Sequence, residues 1–157
     1  DSISVGVVAA GVKYNVIPGL ATVEIDCRVL PGTTEEQMRA EVERRVGPDL
    51  APHVEVELLG FGEPVEAPLD HPLYAVLAGT LRDHDPDALP LPAMAPFATD
   101  AKHTVKLGVP TYGFSPLRND PRETWLERFH GVDERVGLDA LRFGLPVLYD
   151  VVRRYCG

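Results

Sequence analysis

Apolar residues recur at every second position from residue 3 to 9 and again from residue 23 to 29. This period of two is typical of β-strands with one apolar face. The second segment is the clearer one, because charged residues occupy the positions between its apolar residues. Proline followed by glycine is typical of turns, and such pairs occur at Pro18-Gly19 and Pro31-Gly32. The pattern therefore predicts two strands with a short connection between them.

A helix is predicted after the second strand. Thr33 and Glu36 have the spacing of a capping box, in which the threonine caps the helix and the glutamate reaches back. Three apolar residues then follow at helical spacing, namely Met38, Val42 and Val46. Gly47-Pro48 is expected to end the helix.

A third alternating segment at residues 54–58 completes the order strand, strand, helix, strand. That order indicates an α+β domain, in which a helix covers one face of an antiparallel sheet. Glycine and proline concentrate between residues 60 and 72, which makes this stretch the best candidate for a domain boundary.

The second half has a different rhythm, in which helices and short strands alternate. The predicted elements are helices at residues 73–81, 99–106 and 141–155 and strands at residues 93–97 and 109–114. Such alternation indicates an α/β arrangement with a parallel sheet. Pro146 lies inside the last helix and is expected to kink it or split it.

Composition narrows the classes of function. Fifteen basic and 24 acidic residues give a net charge of −9, which argues against a nucleic-acid surface. No apolar run approaches the ~20 residues that span a bilayer. Cys27 and Cys156 belong to no metal or redox motif, so we expect free thiols in a reducing, cytoplasmic setting. A single disulfide is the alternative.

No self-sufficient catalytic motif is present, and no two of the five histidines lie three to five residues apart. His130 is the most suggestive of them, because it precedes the last helix beside Asp133 and Glu134. A solvated turn is the alternative interpretation. His130 is therefore a candidate metal ligand without a visible partner.

Two other places carry candidate chemistry. Thr99-Asp100 follows a predicted strand, where α/β proteins bind ligands, and a plain helix cap is the alternative. Arg28 lies on the charged face of its strand. It would either grip a substrate carboxylate or form a cross-strand ion pair.

Four segments together resemble family twenty of the metallopeptidases, the di-zinc hydrolases that include aminoacylase-1, carboxypeptidase S and succinyl-diaminopimelate desuccinylase. The segments stand in the family's order and are Asn15-Val16-Ile17-Pro18-Gly19, Asp26-Cys27-Arg28-Val29-Leu30-Pro31-Gly32, Thr99-Asp100-Ala101-Lys102 and His130-Gly131-Val132-Asp133-Glu134. The match spans nearly the whole chain.

The resemblance implies a two-domain zinc hydrolase. Residues 1–66 would be an incomplete lid domain, which forms the homodimer, and residues 67–157 the C-terminal part of an α/β catalytic domain. The intact enzyme, with two zinc ions, would hydrolyse the amide bond of N-acyl amino acids or of small peptides with a free carboxylate.

The resemblance also assigns residues. His130 matches the last zinc ligand, Arg28 a position that binds the substrate carboxylate, and Asn15 a lid residue near the scissile carbonyl. Thr99 and Asp100 match a substrate-side turn beside the metals. The general base and the other ligands are expected upstream, so no catalytic residue is assigned here and the 157-residue chain alone is expected to be inactive.

Some features depart from the family pattern. Phe97-Ala98 replaces the usual glycine pair, and Lys102 replaces an arginine. The chain opens at Asp1 almost directly before a strand, as expected of a chain cut inside a domain or of one from which a tag was removed. The alternatives to a hydrolase are a non-catalytic ferredoxin-like binding or dimerisation module and a structural fragment that self-associates.

Overall fold

A computed structural model describes residues 1–122 and 128–157. The elements in these residues are β1 (Ser2–Ala10), β2 (Ala21–Arg28), α1 (Glu35–Val46), α2 (Pro72–His84), α3 (Ala101–Thr104) and α4 (Leu138–Cys156), with 3₁₀ turns at Ala51–His53 and Val105–Leu107. The chain divides into two compact units. The first comprises residues 1–66 and 96–109, and the second comprises residues 67–95 and 110–157.

The two predicted strands form and pair with each other as an antiparallel ribbon. Val5 lies opposite Ile25, but the register shifts between Val5 and Val7, so that Val7 lies opposite Glu24 and Val8 opposite Val23. The extra residue is a β-bulge, which moves every later side chain of β1 to the other face. The prediction that Val5 and Val7 share one apolar face is therefore wrong.

Helix α1 begins one residue later than predicted. Its cap is Thr34, whose Oγ1 accepts the backbone N–H of Gln37, while the Gln37 side chain accepts the backbone N–H of Thr34. The capping box thus uses Thr34 and Gln37 rather than Thr33 and Glu36. Glu35 and Glu36 fall in the first turn, where their charge is favourable to the helix dipole.

The predicted strands at residues 54–58, 93–97 and 109–114 are not strands in the structure. Within the described residues the sheet has two strands, so the predicted parallel sheet is not present there. A strand needs a neighbour for its backbone groups, and the carbonyl of Val56 is instead taken by the Arg39 guanidinium at 2.7 Å. Pro92 and Pro96 also lack the N–H that a sheet ladder requires.

The core of the second unit lies between α2 and α4, both of which were predicted. Seven residues of these helices are buried, namely Leu77, Ala78, Thr80, Ala140, Gly144, Val147 and Val151. Val147 is completely inaccessible to solvent, and burying such a side chain is worth about 1.5–3 kcal/mol. Packing of this pair therefore holds the unit together.

Pro146 does not split α4, which runs unbroken from Leu138 to Cys156. Pro146 lies on the exposed side, whereas Gly144 and Val147 face the interior. A Cβ at Gly144 would stand 2.7 Å from the carbonyl oxygen of Pro116, so only glycine allows this loop to lie against the helix. Apolar packing around Pro146 stabilises the helix, although proline has no N–H and one backbone hydrogen bond is therefore lost.

Charged contacts join the ends of α2 and α4. Nε2 of His84 lies 2.8 Å from Oδ2 of Asp150, and Nη1 of Arg154 lies 2.5 Å from Oδ2 of Asp83. His84 and Asp150 are about three-quarters buried. The hydrogen bond from His84 is the main reason that the pKa of Asp150 is lowered, with a further contribution from Arg153.

None of the helices in the described ranges is both long enough and apolar enough to cross a membrane.

Replacing Thr80 by valine should stabilise the chain by about 1 kcal/mol or leave its stability unchanged. The Thr80 side chain is fully buried, and its Oγ1 has no hydrogen-bond partner in the described part of the chain. Urea unfolding measures the effect. Val147→Thr introduces a buried hydroxyl instead of removing one, and it should lower the free energy of unfolding by about 1–3 kcal/mol. A large loss of stability in Thr80→Val would contradict the buried, unbonded environment of Thr80.

Asp150→Asn should remove an acid-sensitive part of the stability. A carboxyl with a lowered folded-state pKa stabilises the fold above the ordinary aspartate pKa of about 4, and this contribution disappears as the pH falls through the folded value. The difference in unfolding free energy between the parent and Asp150→Asn should therefore shrink from pH 6 towards about pH 2.

The matched control for this experiment is Asp139→Asn in the first turn of α4. Asp139 pairs with Arg142, but its side chain is 91% exposed, so the substitution should change stability little. A difference between the parent and Asp150→Asn that does not vary with pH would show that the pairing with His84 carries no acid-sensitive stability.

Candidate functional site

Asn15 lies in the connection between β1 and β2. A hydrogen bond of 3.1 Å from the N–H of Val16 to the carbonyl of Lys13 closes a turn around it. The side chain of Asn15 is exposed, and Val16 and Ile17 beside it line a shallow apolar pocket. Gly11 begins the connection with φ +73, and a Cβ there would meet Pro18 at 3.2 Å. The turn thus presents a free amide next to an apolar surface.

Arg28 ends β2 on the same face as Asp26, because residues two apart in a strand point the same way. Its Nε lies 2.6 Å from Oδ2 of Asp26, and the two side chains are 44% and 57% exposed. No bond to the two terminal nitrogens of Arg28 occurs within the described residues. The ion pair therefore forms within β2 and not across the strands, as the alternative interpretation had it, and the outer edge of the guanidinium remains available to an anion.

Cys27 lies between these two residues as a free thiol, and Cys156 is also a free thiol. Partial burial, followed by the charge of Asp26, raises the pKa of Cys27. A thiol with a raised pKa is a poor nucleophile. Cys27 is therefore a packing residue and not a nucleophile.

Thr99 and Asp100 form the turn that enters α3. Oγ1 of Thr99 accepts the N–H of Ala101 at 3.3 Å, and the carbonyl of Asp100 accepts the N–H of His103 at 2.8 Å. The carboxylate of Asp100 makes no capping bond. Gly108 ends the helical segment with φ 72, as predicted for a glycine at that position.

His130 is exposed and has a positive φ of 60°, and so does Asp133. Histidine and aspartate tolerate this left-handed conformation better than most residues, and it costs about 1 kcal/mol or more for each. A hydrogen bond of 3.0 Å from the N–H of Gly131 to the carbonyl of Arg128 closes the turn. The backbone therefore holds the imidazole at the outer side of a tight turn.

The predicted site residues are distributed over both units. Asn15, Arg28, Thr99 and Asp100 all belong to the first unit, and His130 belongs to the second. Across residues 1–122 and 128–157, no hydrogen bond or ion pair joins any two of these five residues.

Residues 1–122 and 128–157 offer no complete site for the zinc ions implied by the resemblance. Zinc in proteins takes three or four protein ligands. The described residues contain no group of three or more His, Cys, Asp or Glu side chains that could hold a metal ion. His130 can therefore supply one ligand at most.

Sequence reasoning missed two features of the first unit. Asp26 was treated only as a neighbour of Arg28, although its contact fixes the guanidinium. Lys106 was not singled out, although it lines a pocket with Lys102 and His103. The uneven distribution of lysine was the available signal, because Lys102 and Lys106 are two of the three lysines in the chain.

The fold alone does not define a function, whereas comparison with known proteins defines the family. The fold is mixed α/β, with one antiparallel ribbon and helices in the described residues, and such a fold fits many functions. The chain belongs to Peptidase family M20/M25/M40, whose family model matches residues 2–154. The family suggested by the four sequence segments is thereby confirmed.

Three curated relatives illustrate the range of the family. The N-fatty-acyl-amino acid synthase/hydrolase of Mus musculus is 28% identical over 148 residues, which cover 92% of this chain and 28% of that protein. The carboxypeptidase S-like 2 protein of Dictyostelium discoideum is 26% identical, with coverage of 92% and 27%. Aminoacylase-1 of Mus musculus is 29% identical, with coverage of 94% and 38%.

The chain thus spans between about a quarter and two fifths of the length of these relatives. No solved structure matches the chain.

The purified 157-residue chain should carry no stoichiometric zinc, because a single imidazole binds zinc far more weakly than a site with three or four ligands. Elemental analysis after dialysis against micromolar zinc measures the content. His130→Ala should leave that content unchanged. Two zinc ions per chain would overturn the assignment of His130 as an isolated ligand.

Proposed function

We propose that the complete protein is a zinc-dependent amidohydrolase that cleaves N-acyl amino acids or small peptides with a free carboxylate. The family match over residues 2–154 carries this proposal. The names of two relatives, a fatty-acyl-amino acid synthase/hydrolase and an aminoacylase, support an N-acyl amino acid as the substrate class. The 157-residue chain by itself is proposed to be inactive.

In this proposal Arg28 recognises the carboxylate of the substrate. Asp26 holds the guanidinium through Nε, which leaves the terminal nitrogens to form two parallel hydrogen bonds with a carboxylate. An exposed arginine of this kind selects substrates that carry a free carboxylate, and amides without one bind less well.

Asn15 and the Thr99-Asp100 turn are proposed to contact the rest of the substrate. The amide of Asn15 is an exposed donor that suits a carbonyl oxygen on which charge develops. The hydroxyl of Thr99 already accepts the N–H of Ala101, so its proton remains available for a substrate oxygen. His130 is proposed as one zinc ligand, and the other ligands and the general base are assigned to the remainder of the complete protein.

Residues 1–66 are proposed to belong to the lid domain and residues 67–157 to the catalytic domain. The free edges of the two-stranded ribbon support a homodimer formed through the lid, because unpaired strand edges favour association. Sedimentation analysis of the complete protein tests this, and a strict monomer would exclude it. The two free thiols support a cytoplasmic location. A ferredoxin-like module, the rival function, gains no specific support from two strands.

Arg28→Ala in the complete protein should raise KM for an N-acyl amino acid about 10- to 100-fold, with a smaller effect on kcat. The KM of Arg28→Lys should fall between those of the parent and of Arg28→Ala, because lysine keeps the positive charge but cannot form two parallel hydrogen bonds with a carboxylate. Activity on the matching N-acyl amine, which has no carboxylate, should be unaffected by either change. Steady-state kinetics on both compounds measures these effects.

The matched control is Arg45→Lys on α1, where the arginine also pairs with a carboxylate in solvent. It should leave both KM values unchanged. If Arg28→Ala lost activity equally on the N-acyl amino acid and on the N-acyl amine, the role of Arg28 would be refuted. Failure of the parent protein to cleave any N-acyl amino acid would refute the proposed function itself.

A further inference from the structure

A pocket of the first unit is lined by two segments that are far apart in sequence. One wall is the loop Gly60-Phe61-Gly62-Glu63, and the other is the helical segment that carries Lys102, His103 and Lys106. Its volume of about 330 Å³ is at the lower end of the sizes typical of small-molecule sites. Asn15, Arg28, Thr99 and Asp100 do not line it.

The positive charge at this pocket is unusual for this chain. Basic side chains are mostly arginine here, and lysine occurs only at positions 13, 102 and 106. Within residues 1–122 and 128–157, eight arginines pair with carboxylates, namely Arg28, Arg44, Arg45, Arg118, Arg122, Arg142, Arg153 and Arg154. Neither Lys102 nor Lys106 forms an ion pair within residues 1–122 and 128–157. The pocket therefore has two cations without a fixed counter-charge.

The spacing of these lysines has an energetic cost. Lys102 and Lys106 line the same pocket, and like charges held in one small pocket repel each other. In a protein with a net charge of −9, carboxylates elsewhere are plentiful, and yet among the described residues Glu63 alone brings a negative charge to the lining. An anion between the two ammonium groups would remove the repulsion.

The lining favours a tetrahedral anion over a planar one. Arginine matches the two oxygens of a carboxylate, whereas lysine acts as a point charge and is a common phosphate ligand. The imidazole of His103 adds a third nitrogen that can bond an oxygen. Gly60 and Gly62 carry no side chain, so the opposite wall allows a close approach to the backbone.

We propose that this pocket binds a phosphate group, with Lys102 and Lys106 as the principal ligands and His103 as a third. Glu63 opposes the bound charge and keeps the affinity moderate. The site is separate from the proposed carboxylate site at Arg28 and does not depend on the proposed hydrolase function.

Isothermal titration of the complete protein with inorganic phosphate, phenyl phosphate and acetate at constant ionic strength tests the proposal. Phosphate should bind with saturation, and acetate should bind more weakly. Phenyl phosphate distinguishes the two sources of the group. Tighter binding than inorganic phosphate identifies a phosphate ester, whose ring can lie against Phe61, and equal binding identifies the free ion.

Charge variants locate the site. Lys102→Gln and Lys106→Gln should each weaken phosphate binding about fivefold, and the double variant should abolish it. Glu63→Gln should strengthen binding by a similar factor, because it removes an opposing charge. Lys13→Gln, which makes the same change of charge outside the pocket, should have no effect beyond general screening.

The outcomes that overturn the proposal are distinct. Phosphate binding that is unchanged in the double lysine variant would place it elsewhere, for example at a metal. A His130→Ala background removes the proposed metal ligand, and phosphate binding should persist in it. Acetate binding as tight as phosphate would refute the phosphate class, and the absence of saturation with all three probes would refute the site.

Discussion

The structure of the second unit depends on the contact between α2 and α4. Ala78 of α2 and Ala140 of α4 are small buried residues of this pair, and Gly144 allows the carbonyl of Pro116 to lie against α4. Val147 and Thr80 are fully excluded from solvent between them. Close packing of this kind is sensitive to single atoms, so the helix pair fixes the ends of both helices, where His84 and Asp150 meet.

The first unit is organised by backbone pairing rather than by a large core. In β1 and β2 most valines remain exposed, and Met38 of α1 is the residue of the first unit that is buried. The predicted site residues of this unit lie at the ends of elements: Arg28 at the end of β2, Asn15 in the connection, and Thr99-Asp100 at the start of α3. Exposed ends of a hydrogen-bonded frame can offer polar groups to a ligand without disturbing the frame.

The first unit contains two different arrangements of basic side chains. The guanidinium of Arg28 is oriented by Asp26 through one nitrogen, which leaves a planar edge suited to a carboxylate. Lys102 and Lys106 have no such partner in the described part of the chain and face a wall with two glycines. The first arrangement gives directional recognition and the second gives a diffuse positive field. The two sites would therefore prefer anions of different shape.

The sequence alone determined the two strands, the helices α1, α2 and α4, the end of the helical segment at Gly108 and the family. These features follow from local periodicity, capping and turn chemistry, and four ordered segments. It did not determine the bulge after Val5, because the pairing register, and not the alternation, sets the face of each later residue. The strand predicted at residues 54–58 also failed, since alternation cannot supply a partner for its backbone groups. Only the tertiary structure decided that Pro146 is tolerated and that Asp26 holds Arg28. It also decided that two lysines, Lys102 and Lys106, line a pocket with two glycines, Gly60 and Gly62. Each of these features depends on contacts that the spacing of residues does not encode.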